Sequence, residues 1–412
     1  MRKFARLLIG CLFLFSGFVK IIDPVGSSLV ISEYLRAFGL DFLLPLSMLA
    51  GVVRDLLECM LGVMLLLDFR KQLTAWGVFL FMSFFTLLTL YLALYNPVSD
   101  CGCFGEALKL TNWQTFIKNL VFWPFTLILF LQRKRTPPVS TGWAEWPVCG
   151  LFAAAALFLS VYCYRHLPLI DFMGFRVGNS VPALLEEART APEFTYQTQL
   201  IYSKDGVKEI FDAENLPDST WVFEEALTRE IPTGVRHKLQ DFSLTAPDGT
   251  NGTDMLFSNP QTALVLVVTS EQGLTAQTLG VFEPLVRECR DNGRPYYVWS
   301  AVSREAMAPV LEAASLEDMP VYLVDRKTAL TMVRSTPGML VVRDGTVMAK
   351  YAWRDVPSLE KWETFINEDP ELATANFRIH QRLVVEIVVA GLLLAIFLLR
   401  KGFWFTRPVR HE

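Results

Sequence analysis

Histidine is scarce in this chain, with only His166, His237, His380 and His411 present. A zinc site takes about four ligands as a rule, and these imidazoles are all that could complete one, so no metal centre is expected. Excess positive charge is lacking as well: 38 Lys and Arg stand against 42 Asp and Glu, a net charge of -4. The basic residues sit mainly in short clusters beside apolar runs, which is not the footprint of a nucleic-acid binder. Nucleic acid is therefore excluded as a partner. Charge of either sign is sparse, 19% of residues against 52% hydrophobic and 13% aromatic, too little for an ordinary soluble chain. There is no internal repeat, no low-complexity tract and no Cys-x-x-Cys motif.

What is present is apolar sequence in blocks. Runs near the roughly 20 residues that cross a bilayer as a helix fall at 7–22, 43–67, 73–95, 116–131, 146–164 and 383–399. An even number of crossings puts both termini on one side. Arg2, Lys3 and Arg6, then Arg70 and Lys71, then 133–135, then Arg400 and Lys401 all fall on that side, and cytoplasmic loops retain Lys and Arg during insertion. The segments 23–41, 96–114 and 165–382 then lie outside. The expectation is a bacterial cytoplasmic (inner) membrane protein with both termini cytoplasmic, a large periplasmic domain and the lipid bilayer as first partner. A cleaved signal peptide is disfavoured because no small-x-small site follows the first run. A lipoprotein signal at Leu8-Ile9-Gly10-Cys11 fails because the apolar stretch before Cys11 is too short and continues to Ile22.

The chain divides into a four-helix membrane unit at 1–135, a linker and fifth span at 136–165, a small β-rich part at 166–237, an α/β domain at 238–370, and a sixth span with its tail at 380–412. An amphipathic segment at 28–38 follows the first span. Alternating stretches at 196–202 and 207–211, joined by Lys204-Asp205-Gly206, predict a hairpin. From Asp241 onward strand and helix alternate: strand 263–268, helix 274–291, strand 296–301, helix 303–314, strand 321–324, helix 327–333, strands 338–343 and 347–354 turned by Asp344-Gly345, and helix 358–367. This order resembles the thioredoxin fold, with Thr336-Pro337 where thioredoxins carry a cis-proline. The place of the thioredoxin dithiol reads Thr269-Ser270-Glu271-Gln272-Gly273, without a thiol. Cys289 reads as a packed structural residue. The expected fold class is a polytopic α-helical membrane protein, a four-helix bundle plus two further spans, with an extracytoplasmic α/β thioredoxin-like domain lacking Cys-x-x-Cys.

Of seven cysteines, Cys11, Cys59, Cys149 and Cys163 lie in or beside spans, where small apolar packing accounts for them. Asp100-Cys101-Gly102-Cys103-Phe104-Gly105 differs, because it puts two thiols in a loop on the oxidising side. Residues two apart in an extended chain point the same way with Cα atoms about 7 Å apart, the limit a disulfide can bridge. Gly102 permits the bend that closes the ring. So tight a ring restrains almost nothing as a staple, whereas a strained disulfide exchanges readily. Asp100 and Glu106 oppose thiolate formation and Lys109 favours it. A second cluster, Arg54, Asp55 and Glu58, puts charge inside the second span at a cost of at least a few kcal/mol each. Arg54 and Glu58 are four apart and could pair. Two readings stand: Glu58 as a proton carrier beside a quinone, or an ion pair that holds the bundle. Lys20, Asp23 and Pro24 anchor and cap the end of the first helix.

Several of these residues together carry a resemblance. Phe15-Ser16-Gly17-Phe18-Val19-Lys20 with Asp23-Pro24 and Gly26, Glu58 with Gly62, and Cys101-Gly102-Cys103-Phe104-Gly105 make 1–135 similar to the MauE/DoxX family of bacterial membrane proteins. The whole resembles a Bacteroidota-type fusion with a thioredoxin-like domain. The resemblance implies periplasmic thiol-disulfide chemistry at Cys101 and Cys103, with a periplasmic thiol/disulfide protein as partner and the degenerate domain as the module that binds it. A non-catalytic membrane scaffold is one alternative. A quinone-linked thiol oxidase of the vitamin K epoxide reductase or DsbB type is another, for which the second cysteine pair would have to come from Cys59 and Cys163. Quinone is thus the one cofactor in view.

Overall fold

The computed structural model describes residues 1–98, 101–134, 145–190, 195–204, 207–212, 220–231, 242–253, 257, 259–367 and 369–405, some residues in 195–231 and 370–405 by backbone alone. Asp100, the linker residues 136–142, Asp205, Gly206, His237 and His411 lie outside the described residues. Two compact units result: Met1–Leu184 with Asp241–Glu412, and Leu185–Gln240.

The first unit begins with α1 (Arg2–Ile21), α2 (Pro24–Ala37), α3 (Ser47–Leu67), α4 (Lys71–Tyr95), α5 (Asn112–Leu131) and α6 (Glu145–Arg165). Local chemistry sets the boundaries. Pro24 starts α2 at a position that needs no N–H donor, and Asp23 caps it, its Oδ1 accepting from the Gly26 amide at 2.9 Å. The apolar run at 43–67 is helical in two parts. Residues Asp41–Leu46 form a 3-10 turn that contains Pro45, and the α-helix starts only at Ser47, because a proline ring cannot sit in an α-helix interior without losing a bond. Thr111 and Gln114 close a capping box at the start of α5.

The burial pattern is inverted relative to a soluble protein. Leu87 is 69% exposed while Asp55 is 1% and Thr89 is 0% exposed. Apolar side chains facing out and polar ones facing in are the arrangement a bilayer requires. Helices α1, α4, α5 and α6 are long and apolar enough to cross a membrane. Helix α3 is of similar length and carries Arg54, Asp55 and Glu58 on its inward side. The last apolar run lies within the helix Pro370–Phe405. The protein is a helical membrane protein.

Helices α1 and α3 pack at backbone distance. A Cβ on Gly17 would fall 2.5 Å from the Cys59 amide nitrogen, and one on Gly62 would fall 2.5 Å from that of Leu14. Small residues allow this approach where no hydrophobic effect drives helices together.

A five-stranded sheet completes the first unit: β4 (Ala263–Val268), β5 (Tyr296–Ser300), β6 (Val321–Leu323), β7 (Gly338–Arg343) and β8 (Thr346–Ala352), in the order β6-β5-β4-β7-β8. The numbers β1 (Thr195–Lys204), β2 (Val207–Asp212) and β3 (Val222–Ile231) belong to the second unit, an antiparallel sheet ordered β2-β1-β3. Strands β4, β5 and β6 are parallel, and β7 and β8 are antiparallel additions. The central β4 is buried at every position, which accounts for its unbroken apolar run. The helix expected at 274–291 is two pieces, Ala276–Gly280 and Glu283–Asp291, with Pro284 at the restart. Phe282, Cys289, Met307, Val341 and Trp362 fill the core, and Cys289 is fully buried. The Thr336–Pro337 peptide bond is cis and immediately precedes β7. Residues 178–181 run along the edge of β8, with the Gly178 amide donating to the Val347 carbonyl at 2.7 Å and the Val181 amide to that of Gly345 at 2.9 Å. These hydrogen bonds keep residues up to Leu184 with the large sheet rather than with the small β-rich part.

Gly17→Leu or Gly62→Leu is expected to lower stability in detergent by about 3 kcal/mol, since overpacking against fixed backbone cannot relax. Gly150→Leu, with open space around its Cα, is expected to leave the melting temperature unchanged, and thermal unfolding in one detergent checks all three.

Candidate dithiol site

The loop between α4 and α5 is built from its base upward. Asn96 ends α4 with φ 47, and the Asn112 side-chain amide donates to Asn96 Oδ1 at 2.6 Å and to the Val98 carbonyl at 2.8 Å. Above this clamp the chain turns tightly, the Gly105 amide donating to the Gly102 carbonyl at 3.1 Å. Gly102 sits at φ +61, and a Cβ there would lie 2.7 Å from both methyl groups of Val30. Dihedral and space both require glycine at this position.

Groups from several helices fix the two cysteines. The Tyr34 hydroxyl donates to the Cys101 carbonyl at 3.1 Å, and the Ser16 hydroxyl donates to the Cys103 carbonyl at 2.6 Å. Cys101 packs against Leu92 and Val98 and is 4% exposed, while Cys103 is half-buried. Phe104 is buried, with its ring 5.8 Å from that of Phe15, and Lys118 places its ammonium 4.3 Å from the Phe104 ring centre. Cation and ring attract, so Phe104 holds Lys118 beside the thiols.

Both thiols are free, and they hydrogen-bond to each other. The bond makes them unequal. Cys103 is pushed below the ordinary thiol range, first by the hydrogen bond it accepts from Cys101 and then, against burial, by the nearby charges of Lys118 and Lys20. Cys101 is pushed well above that range by the same hydrogen bond, by burial and by the neighbouring negative charge. The pair thus favours ionisation at Cys103 over ionisation at Cys101. Lys109, expected to favour the thiolate, forms a 3.3 Å ion pair with Glu106. Lys118, Tyr34 and Val30 had no sequence signal, because they reach the loop from other helices, Lys118 from α5 and the other two from α2.

Residues 2–132 match the family described as Methylamine utilisation protein MauE, and residues 196–231 match a domain of unknown function, DUF8463. The N-terminal helical unit is similar to MauE. No curated protein and no solved structure matches the chain. The MauE match includes every residue of the dithiol loop and of the charges below it. It supports a membrane accessory protein in a redox or maturation setting.

Those charges are paired differently from the sequence expectation. Glu58 takes Lys20 of α1 as its partner, not Arg54. Arg54 bonds Asp55 at 2.9 Å and the Ser27 hydroxyl, and Ser27 also donates to Asp55. Four charges therefore cancel in two buried pairs, because a helix crossing brings Lys20 to Glu58 while Arg54 turns toward α2. Gly17 is spent on that crossing. Asp23 and Pro24 start α2 rather than merely ending α1. The Thr336 and Thr269 hydroxyls hydrogen-bond to each other, and the peptide bond between Thr336 and Pro337 is cis. Cys59 and Cys163 are each buried, in α3 and α6. Among the described residues no cluster of three or more His, Cys, Asp or Glu side chains could hold a metal ion.

Alkylation of Cys103 by iodoacetamide should set in below the pH near 8.5 at which an ordinary thiol ionises, and Cys101 should resist until far higher pH. Lys118→Gln removes a favourable positive charge and is expected to move the Cys103 midpoint upward by about one unit. Mass spectrometry of the separate peptides across a pH series measures both.

Proposed function

We propose that this protein is a membrane thiol-disulfide relay of the bacterial cytoplasmic membrane, with its termini inside and its sheet domains outside. The observation that carries the proposal is the unequal setting of two free thiols in one tight loop: Cys103 is half-buried toward Lys118 and Lys20, which favour its ionisation, while Cys101 is 4% exposed against Leu92 and Val98 and is pushed the other way. That is the arrangement of an attacking and a resolving sulfur. The Cys103 thiolate attacks a disulfide of an extracytoplasmic partner protein, forms the mixed disulfide and releases the partner's other sulfur, which takes a proton from solvent. Cys101 then gives up its proton and attacks the Cys103 sulfur. The Cys101–Cys103 bond closes, and the partner's second sulfur leaves and is protonated. Two electrons pass to the partner, and a second thiol/disulfide protein restores the dithiol. The same steps in reverse oxidise a partner.

The charges beneath the loop fit this cycle. Lys20 favours the Cys103 thiolate and Glu58 opposes it. Glu58 is the proposed proton carrier, with Lys20 as its counter-charge. The sheet domain of the first unit is proposed to be thioredoxin-like, on the strength of its strand order. Its part is to bind the partner, since Thr269–Gly273 carries no thiol.

Cys101→Ser is expected to trap a mixed disulfide on Cys103 in intact cells, and Cys103→Ser to trap none. Non-reducing electrophoresis after acid quenching reads this. If both variants complement a deletion strain fully, the scaffold reading replaces the relay. Reduction of added quinone by the purified protein, lost in both variants, would make a quinone the second acceptor.

A further inference from the structure

Helix α2 is held on two sides. Toward the loop it presents Val30, whose methyl groups fill the space beside Gly102, and Tyr34, which holds the Cys101 carbonyl. Toward the sheet domain it presents Asp23 and Glu33. Arg334, only 2% exposed along its side chain, donates through Nη2 to Asp23 Oδ2 at 2.8 Å and through Nη1 to the Leu330 carbonyl at 3.1 Å. The other oxygen of Asp23 caps α2, so one carboxylate both starts the helix and fastens it to the sheet domain. Lys327 bonds Glu33 at 2.8 Å, one turn from the end of the same helix. Arg334 is also two residues before the cis Thr336–Pro337 bond, and the Ser335 hydroxyl secures that turn by donating to the Pro337 carbonyl at 2.8 Å.

We infer that Arg334 is a positioning residue for the dithiol: through Asp23 it sets the placement of α2, and α2 sets the packing around Cys101 and Cys103. The sheet domain then governs the reactivity of thiols it does not touch. A partner that binds the sheet domain and draws Arg334 away from Asp23 loosens Val30 and Tyr34, and with them the packing that holds Cys101 and Cys103. The ion pair suits this task. Breaking a buried pair leaves an uncompensated charge, so the latch has two distinct states rather than a continuum.

The inference rests on the relay reading only in that the dithiol is the group controlled, and its test reads thiol reactivity without any partner protein. Full-length protein in detergent is alkylated with iodoacetamide, and the rates at Cys101 and Cys103 are followed by mass spectrometry from pH 5 to 10. Arg334→Met is expected to raise the Cys101 rate about tenfold at neutral pH, the change in thiolate fraction that accompanies a one-unit midpoint shift. It should also draw the two midpoints toward each other. Arg334→Lys should restore most of the wild-type profile, which a loss of bulk packing would not explain. Lys327→Met, at an exposed pair, should give a smaller shift in the same direction. A folded Arg334→Met protein with wild-type rates at both cysteines overturns the inference. If that variant does not fold, an unchanged profile in Lys327→Met and Glu33→Gln overturns it instead. Altered reactivity with no exchange toward any partner in cells would sink the relay and leave the latch standing.

Discussion

Where α1 crosses α3, Gly17 and Gly62 leave no side chain between the two backbones, and the placement of the charged residues follows from that contact. A lysine and a glutamate in lipid would each cost at least a few kcal/mol. At the crossing Lys20 meets Glu58 with both side chains below a tenth exposed. Neither can move away without leaving the other uncompensated. The crossing thereby fixes a positive charge under the dithiol loop. It also brings Ser16, one residue before Gly17, to the Cys103 carbonyl. Helix packing, ion pair and loop anchorage are one arrangement, and the glycines are its origin.

The loop adds a second constraint. Two thiols separated by one residue share a proton unequally only if their surroundings differ. The difference here is built by neighbours of unlike character: Leu92 and Val98 around Cys101, Lys118 and Lys20 toward Cys103. An apolar wall penalises charge, while an ammonium rewards it. Phe104 belongs to this logic, because its ring is what keeps Lys118 near the sulfur.

Sequence showed some of this and concealed the rest for physical reasons. The apolar runs, the strand at 263–268 and the turn at Gly102 were legible, since periodicity and glycine placement are local properties. The dithiol was legible too, because Cys-Gly-Cys in a loop between two apolar helices has few bland explanations. The pairing of Glu58 was not. Spacing along α3 favoured Arg54, but the direction each side chain takes depends on which helix lies opposite, and that is a tertiary fact. Lys118 was concealed in the same way, beyond the start of α5. The tie between Arg334 and Asp23 spans 311 positions of sequence, so no window of local pattern could contain it. The break in α3 at Pro45 was readable in principle and was masked by the apolar residues around it.

For the proposed relay the burial of Cys101 raises an apparent conflict, because a resolving thiol would have to react while almost inaccessible. The hydrogen bond between the sulfurs removes it. In that relay Cys101 would have to meet only Cys103, two residues away in the same tight turn. Burial then shields Cys101 from other electrophiles and leaves the half-buried Cys103 as the more accessible sulfur. A loop free to open would surrender this selectivity. Gly102 against Val30, with Tyr34 on the Cys101 carbonyl, keeps it shut, and the helix carrying both of those residues is the one the sheet domain holds.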